Sequence, residues 1–449
     1  MIEKFFQLKE NGTTVLTEVA AGLTTFAAMA YIIALNPIIL SGLDGGSGAV
    51  YIATILSSAI CTTLMGLIAN VPYATAPGLG LNSLAAGLLS SSLGFSPAAI
   101  LAIVLLSGLI NVLITVTSIR KHIIKSIPVF LQNAIAGGIG IFIIYIGVVN
   151  VGLVNFSIGI PMINTAMDVK VLVVFLAGLA TTIFLLIKKV PGAILIGVII
   201  STIVGIPLKI TALGGTYNIV EALTAYKGWF GIALTQGLGE LFSNPAGFVS
   251  VLVIILSFSI SDNFDTIGTF VGTGRTTGIF TDEDIEKMET GHGFSSKMDK
   301  ALFADAIATP IGAILGTSPT TTYVESAAGI GAGGKTGLVS VVVGACFFLS
   351  LPLASLVSAI PSAATAPALV IVGVMMLSAF KEIDWANLDQ ALPAMGAGCF
   401  MALSYGITNG VMVGFFLYTF VEACKGNLLK LHPIILVSDL LFIINLWLS

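Results

Sequence analysis

Long apolar runs separated by short polar segments dominate the chain. A helix needs about 20 apolar residues to cross the hydrocarbon core of a bilayer. Runs of this kind predict spanning helices near 15–41, 50–69, 97–117, 128–150, 169–187 and 191–207, and again near 246–272, 300–316, 335–352, 361–379, 391–406 and 409–424. The pattern therefore predicts an all-α polytopic membrane protein.

Two further segments, 73–90 and 317–332, begin with Pro, Gly, Thr or Ser and only then turn apolar. Each is third in its half of the chain, so the count becomes fourteen segments in two sets of seven. Backbone that is not helical at membrane depth has to line a cavity or be buried in protein. Interrupted segments at matching positions of two halves point to the binding site of a transporter. Two purely structural re-entrant loops are the alternative.

The two sets of segments define the predicted organisation of the chain. Residues 1–207 form a first repeat, 208–245 an external connecting segment, and 246–424 a second repeat. The C-terminal segment 425–449 is apolar and has no counterpart in the first half. Its stretch 431–448 either spans the membrane or lies at the interface.

Composition agrees with a membrane protein and excludes a water-soluble one. Of the 449 residues, 56% are hydrophobic and 9% are charged, and the mean hydropathy is +1.06. A soluble domain carries about 25% charged residues. The net charge of −4 gives no indication of nucleic-acid binding. The four cysteines lack metal or disulfide spacing, and the N-terminus lacks a signal-peptide pattern, so we expect the first apolar segment to be retained.

The distribution of basic residues predicts the orientation in the membrane. With the N-terminus in the cytoplasm, only Lys170, Lys209 and Lys227 are external. The other fifteen are internal: Lys4, Lys9, Arg120, Lys121, Lys125, Lys188, Lys189, Arg275, Lys287, Lys297, Lys300, Lys335, Lys381, Lys425 and Lys430. Because cytoplasmic loops carry the excess of Lys and Arg, we predict a cytoplasmic N-terminus in the inner (plasma) membrane of a bacterium.

Two carboxylates lie in the otherwise apolar eighth span. Asp262 and Asp265 are three residues apart, which places them on one face of a helix. Acids within a membrane are costly and usually functional, and two close carboxylates favour holding a proton. The alternative is that one of them only bonds a neighbouring helix end. Asp305, deep in the ninth span, is either a structural partner or a proton relay.

The second interrupted segment carries Glu325, which we expect about one turn into a half-helix that starts at Thr320–Thr322. Its carboxylate could accept hydrogen bonds from the ring N–H groups of a neutral heterocycle, while backbone N–H groups donate to a carbonyl. Asn82, the counterpart in the first half, can donate and accept. Phe264 or Tyr323 could pack on a flat ring, although either could equally be a core residue.

Several motifs resemble one family of transporters. Gly22 to Tyr31, with Asn36-Pro37 after it, resembles the first span of the AzgA-like adenine/guanine/hypoxanthine permeases, the purine branch of the nucleobase–cation symporter-2 family. The segment from Ala76 to Asn82 resembles their third span, that from Asp262 to Thr269 their eighth, and that from Gly316 to Ser326 their tenth. The uracil and xanthine branches end the first span with a Gln-His pair, where this chain has Asn-Pro.

The resemblance implies a fold, a substrate and a set of site residues. The fold is fourteen spans in two inverted repeats, with short strands before half-helices in spans 3 and 10. Spans 1–4 and 8–11 form a core domain, and spans 5–7 and 12–14 form a gate domain. The implied function is proton-coupled uptake of purine nucleobases, without a cofactor or a metal. Purines, protons and lipid are the predicted partners, with a homodimer as one option for assembly. The predicted substrate-binding residues are Glu325, Asp262, Asn82, Phe264, Thr321, Thr322, Ser318, Gly80 and Thr25. Those for proton coupling are Asp265, Asp262, Glu325 and Asp305.

Other functions fit the chain less well. A sulfate or dicarboxylate transporter on the same fold would have to bring an anion against acids, which repel it unless they are protonated. A pyrimidine or xanthine transporter is the nearer alternative. An intramembrane aspartyl protease takes its two aspartates from different helices, whereas Asp262 and Asp265 share one.

Overall fold

The computed structural model describes residues 2–42, 46–89, 94–117, 127–155, 161–212, 214–243, 248–281, 284, 296–404, 407–433, 435–436, 438–440 and 443. Its α-helices from the first half are α1 Ile2–Phe5, α2 Val15–Met29, α3 Ile32–Ile39, α4 Gly46–Ala69, α5 Leu79–Leu89, α6 Pro97–Val116, α7 Val129–Asn150, α8 Val169–Ile187 and α9 Ala193–Gly205. Those that follow are α10 Ile219–Trp229, α11 Leu238–Ser243, α12 Phe248–Thr277, α13 Lys297–Leu315, α14 Ser326–Gly331, α15 Gly337–Leu349, α16 Ala354–Ser358, α17 Ser362–Met376, α18 Leu388–Leu403 and α19 Ile407–Cys424.

Seven helical stretches in the described residues are long and apolar enough to cross a membrane. They are Val15–Ile39, Gly46–Ala69, Pro97–Val116, Val129–Val149, Val169–Ile187, Gly337–Ser358 and Ser362–Glu382. Shorter apolar helices are Leu79–Leu88, Ala193–Gly205, Ser250–Asn263 and Asn409–Cys424. The chain is thus a polytopic, mostly helical membrane protein.

The first predicted span is not one continuous helix. α2 ends at Met29 and α3 begins at Ile32, so the chain bends at Ala30 and Tyr31. Past this bend, the Asn36 side-chain amide donates to the Thr54 hydroxyl at 2.7 Å and to the Thr317 hydroxyl at 2.9 Å. These bonds join α3 to α4 and to the start of the second interrupted segment.

The two interrupted segments pair with each other through short antiparallel strands. β1 (Thr75–Pro77) lies against β4 (Thr320–Thr322), with Thr75 opposite Thr322. The Gly78 N–H donates to the Pro319 carbonyl at 3.0 Å, and the Tyr323 N–H donates to the Ala74 carbonyl at 2.9 Å. The pairing satisfies extended backbone in a buried position, where unpaired polar groups are costly. A second hairpin, β2 (Val154–Asn155) with β3 (Met162–Ile163), lies apart from the site.

The strand pair corrects the expected position of Glu325. Thr320–Thr322 is a strand and not the start of a helix, because three β-branched residues pair with β1. The half-helix α14 begins only at Ser326, so Glu325 stands immediately before it and not one turn inside. The carboxylate therefore sits at the bend between strand and helix.

Glycines let helices of the two halves cross closely, which is the usual way that helices associate in lipid. A Cβ on Gly66 of α4 would lie 2.4 Å from the Gly337 carbonyl oxygen of α15. A Cβ on Gly108 of α6 would lie 2.5 Å from Pro310 Cδ of α13, and one on Gly373 of α17 would lie 2.5 Å from the Gly140 oxygen of α7. Every one of these three crossings joins an early helix to a late one.

The segment 208–245 is not simply a polar connection. It contains α10, a π-helical turn at Ala233–Gly237 and α11. The Trp229 side chain is buried, and its indole N–H donates to the Gly316 carbonyl at 2.8 Å. Gly316 has a φ of +91°, and a Cβ there would collide with the indole. Trp229 thus packs the segment against the C-terminal end of α13.

A buried carboxylate fastens the start of the chain to α15. Glu18 accepts from the Lys335 N–H at 2.9 Å and from the Thr336 N–H at 3.1 Å. It also accepts from the Thr336 and Thr13 hydroxyls, at 2.6 Å and 2.9 Å. The negative charge thus caps the N-terminus of α15, where the helix dipole favours it.

Some sequence predictions concern residues that are only partly described. Most of the 275–300 loop lies outside the described residues, and so does the side chain of Phe264. Of the stretch 431–448, the described part is largely helical. Ile435 there is buried, and Asp439 accepts from the Thr419 hydroxyl at 2.5 Å.

Candidate functional site

A cavity lies where the strand pair meets α7 and α17, and its volume is about 570 Å³ when the open solvent at its mouth is included. The wall consists of Tyr31, Gly78, Leu79, Gly80, Leu81, Ile139, Ser261, Asp265, Thr269, Thr322, Tyr323, Val324, Glu325, Val372 and Met376. Of the predicted site residues, the structure therefore brings Glu325, Asp265, Thr322 and Gly80 together.

Glu325 is held on this wall by a tyrosine from the first span. The Tyr31 hydroxyl donates to Glu325 Oε1, and the Tyr31 side chain is buried. Tyr31 occupies the bend between α2 and α3, which brings its ring under the start of α14. Sequence reasoning missed this residue as part of the site. A polar aromatic within an apolar run was the available signal, but its partner is 294 residues away.

Asp262 lies behind the wall and not on it. Its Oδ2 accepts from the Asn111 amide at 2.9 Å and from the Thr309 hydroxyl at 3.0 Å. Its Oδ1 is buried and has no hydrogen-bond partner in the described part of the chain. Asp262 and Asp265, three residues apart on α12, therefore have different surroundings. A direct role of Asp262 in binding stays a prediction.

Asn111 of α6 organises the polar groups on this part of α12. The Asn111 side-chain Nδ2 donates to Asp262. Its Oδ1 accepts from the Ser259 hydroxyl and, at 2.9 Å, from the Asn263 amide. The sequence analysis did not single out Asn111, because one amide in an apolar helix carries no motif. Its position nevertheless fixes the orientation of the Asp262 carboxylate.

Asp305 is separated from the cavity by one hydroxyl. Its Oδ1 accepts from the Thr322 hydroxyl at 2.7 Å, and its Oδ2 accepts from the Thr266 hydroxyl at 2.6 Å. Thr322 itself lines the cavity, whereas Asp305 is buried. The Thr266 and Thr321 hydroxyls are 2.9 Å apart and extend the same network along β4. The Thr322 hydroxyl thus connects the buried Asp305 carboxylate to the cavity wall.

The remaining predicted residues lie off the wall. Asn82 accepts from the Ser318 hydroxyl through Oδ1, which ties the first half-helix to the second interrupted segment. Thr25 packs against α14, where a Cβ on Gly329 would lie 2.0 Å from its Oγ1. Gly80, in contrast, is on the wall and also has a packing role, because a Cβ there would lie 2.5 Å from Ile139 Cγ2 of α7.

The wall differs in chemistry from side to side. Ile139, Val372 and Met376 of α7 and α17 contribute apolar surface, and acids come from α12 and the start of α14. The Tyr323 hydroxyl donates to the Pro77 carbonyl at 2.6 Å, which fixes its ring on the wall. No Lys, Arg or His is found among the described wall residues. The site is suited to a flat, uncharged or cationic molecule with N–H donors.

Comparison with known families places the chain among membrane carriers. A family model described as "Permease family" matches residues 16–413. A guanine/hypoxanthine permease of Bacillus subtilis is 35% identical, and the match covers 99% of each chain. An adenine permease of Escherichia coli is 32% identical over 99% of this chain and 96% of its own.

A solved structure also matches the fold. The transmembrane domain of the cyanobacterial bicarbonate transporter BicA superposes with a TM-score of 0.61, covering 90% of this chain and 97% of that domain. The two sequences are 16% identical, so this likeness concerns the fold alone.

Proposed function

Because the chain belongs to the Permease family, and within it to the AzgA-like adenine/guanine/hypoxanthine permeases of the nucleobase–cation symporter-2 family, we propose that it carries purine nucleobases into the cell together with protons. The observation that supports this most is the cavity wall, where Glu325 and Asp265 face apolar residues of α7 and α17. A purine has ring N–H groups for the carboxylates and two flat faces for the apolar surface.

Glu325 is the principal binding residue in this proposal. Tyr31 engages Oε1, which leaves the second carboxylate oxygen to accept from a ring N–H of the base. Hydrogen bonds to charged groups contribute about 1.5–3 kcal/mol, more than neutral ones. The Tyr323 ring and Ile139 offer surface for the faces of the base.

The coupled proton is carried by the acids in and behind the wall. An ionised carboxylate at this depth is costly, so a proton taken up with the substrate lowers the cost of crossing the membrane. Asp265 is on the wall, and the Thr322 hydroxyl links Asp305 to it. Asp262 and Glu325 complete the set of groups that could share the proton.

Transport proceeds by alternating access between two bodies built from inverted repeats of seven spans each. The strand pair, its half-helices and α12–α15 form the core with the first spans, while α7–α9 and α17–α19 form the gate. The cavity has walls from both bodies, so a movement of one against the other changes the side on which it opens. We propose that the N-terminus is cytoplasmic and that the membrane is the plasma membrane of a bacterium.

An anion is disfavoured as the substrate, although anion transporters share the fold. A carboxylate pair on the wall repels an anion, and no basic side chain is present among the described wall residues to offset the repulsion.

Uptake of labelled hypoxanthine into cells or proteoliposomes tests the proposal. Uptake is expected to fall as the external pH rises at fixed membrane potential, and a protonophore should abolish accumulation. Unlabelled adenine, guanine, hypoxanthine, xanthine and uracil serve as competitors. Uptake that follows a sodium gradient at constant pH would refute proton coupling, and competition by uracil but by no purine would refute the substrate.

A further inference from the structure

Ser261 is a buried side chain on the cavity wall whose hydroxyl has no partner among the described residues. It lies on α12 and is 1% exposed, and its Oγ makes no hydrogen bond within the described residues. A serine inside a helix often donates to the carbonyl four residues earlier, as Ser257 does to Val253 at 2.9 Å. Ser261 does not. A buried hydroxyl without a partner costs free energy, so a ligand that brings an acceptor to Ser261 gains a hydrogen bond there.

The neighbours of Ser261 define what kind of ligand group it faces. Asp265 is four residues later on α12, and positions i and i+4 adjoin on one helix face. A hydroxyl donor and a carboxylate acceptor therefore stand side by side on the wall. The helix α5 begins at the wall too, with Leu79, Gly80 and Leu81. The first N–H groups of a helix have no partners within it and favour an acceptor.

We propose that Ser261 makes the site select purines in which a ring N–H adjoins a carbonyl group, the 6-oxopurines, over 6-aminopurines. The inference rests on the proposed purine transport. In hypoxanthine and guanine, the N1–H would donate to the Asp265 carboxylate, and the neighbouring carbonyl would accept from the Ser261 hydroxyl and the start of α5. Adenine reverses this edge, because its N1 is an acceptor that would face the carboxylate. Selection then comes from a repulsive contact as well as from an attractive one.

Binding to the purified full-length protein tests the inference by isothermal titration calorimetry with hypoxanthine, adenine and 1-methylhypoxanthine. Wild-type protein is expected to bind hypoxanthine about ten times more tightly than either of the others. Ser261→Ala should weaken hypoxanthine binding by about three- to ten-fold, as expected for one neutral hydrogen bond. Its adenine affinity should stay within about two-fold, so the ratio of affinities falls. A structural defect would weaken both ligands alike.

Ser257→Ala is the matched control, since it removes a buried serine hydroxyl from the same helix, one turn away from Ser261. It should leave both affinities unchanged, and thermal unfolding of both variants should match the wild type. Tighter binding of adenine than of hypoxanthine, or an unchanged affinity ratio in Ser261→Ala, would overturn the inference while purine transport stands. Binding of no purine by the wild type would overturn both.

Discussion

Tyr31 and Glu325 show how one hydrogen bond can join distant parts of the chain at a binding site. The hydroxyl comes from the bend in the first span and the carboxylate from the bend before α14. Both side chains line the cavity, so the bond fixes which carboxylate oxygen a ligand meets. A carboxylate held in one orientation loses less conformational entropy when it binds a ligand.

Tyr31→Phe removes only the hydroxyl and should weaken hypoxanthine binding by roughly ten-fold, the value of one hydrogen bond to a charged group. The reason is that Glu325 then becomes free to rotate and keeps an unpaired oxygen. Calorimetry on the purified variant measures the affinity. Tyr226→Phe is the control, since the Tyr226 hydroxyl on α10 is buried without a partner in the part of the chain that the structure describes. Wild-type affinity for every purine in Tyr31→Phe would show that the bond does not prepare the site.

Glu325→Gln keeps the shape of the side chain but replaces one acceptor oxygen with a donor. That donor would face a ring N–H of the base, and affinity should fall by roughly ten- to a hundred-fold. Competition binding with hypoxanthine, guanine and adenine at equal protein concentration measures the loss. Glu10→Gln, an exposed position near the N-terminus, should behave as wild type. Unimpaired binding of all three bases would remove Glu325 from the site.

For single residues, the sequence identifies which acids are energetically costly to place in the membrane. It does not identify which part of the structure each acid faces. Acids in apolar runs singled out Asp262, Asp265, Asp305 and Glu325. Their spacing on a helix could not tell that Asp262 turns to Asn111 and Thr309 whereas Asp265 reaches the cavity. That distinction depends on how α12 packs against α6 and α13, which is a property of residues far apart in sequence. Tyr31 and Ser261 were not predicted as site residues for the same reason.

Among the helix crossings, that of α4 and α15 depends most clearly on glycines, which have no side chain to hold the two helices apart. Gly66 and Gly337 face each other there, and a Cβ on Gly337 would lie 2.1 Å from the Gly66 carbonyl oxygen. Ser340, one turn further along α15, donates to the Val71 and Tyr73 carbonyls at 2.7 Å each. The crossing therefore positions the chain just before β1.

Gly66→Val should force α4 and α15 apart and destabilise the folded protein by about 1–3 kcal/mol, as overpacking usually does. A lower midpoint of thermal unfolding in detergent, followed by tryptophan fluorescence, is the expected observation. Gly239→Val on α11 is the matched substitution, because no described atom outside its own helix lies within 4 Å of a Cβ there. An unchanged midpoint in Gly66→Val would mean that the helices can separate without loss.

Hydropathy predicted the helices well, and the interrupted segments less completely. Apolar runs mark helices because every backbone group must be satisfied inside the segment, which is a local requirement. The Thr320–Thr322 stretch was expected to start a helix, whereas it is a strand whose partner β1 comes from the other half of the chain. The expected short strands of the third and tenth segments are present. Their register required the structure.

For the whole molecule, the charges outside the spans predict the orientation in the membrane. Fifteen of the eighteen basic residues fall on one side when the N-terminus is cytoplasmic. Since the bias depends on the number of spans, it also bears on the proposal of fourteen. The helical segment 208–245 is then external, and the 275–300 loop is internal.

Labelling of single cysteines tests this orientation in a variant without the four native cysteines. Lys227→Cys on α10 should react with an impermeant maleimide added to intact cells, because Lys227 is exposed and is predicted to be external. Lys300→Cys, which is also exposed, should react only after permeabilisation. Labelling of Lys300→Cys in intact cells would reverse the assignment, and with it the direction proposed for the loops.

The pairing of β1 with β4 has a consequence for biosynthesis. During translation, β1 reaches the membrane before β4 has been synthesised, so its hydrogen-bonding edge is unpaired. The Pro77 carbonyl also lacks its donor, the Tyr323 hydroxyl, which comes 246 residues later in the chain. The early half therefore remains an incomplete insertion product until the late half arrives. Ribosome-bound fragments that end before Thr320 should be preferred substrates for membrane quality-control proteases. Two half-length polypeptides expressed together should assemble into the complete fold. The two halves contact each other through strand pairing and helix packing, and these contacts do not require a covalent connection between the halves.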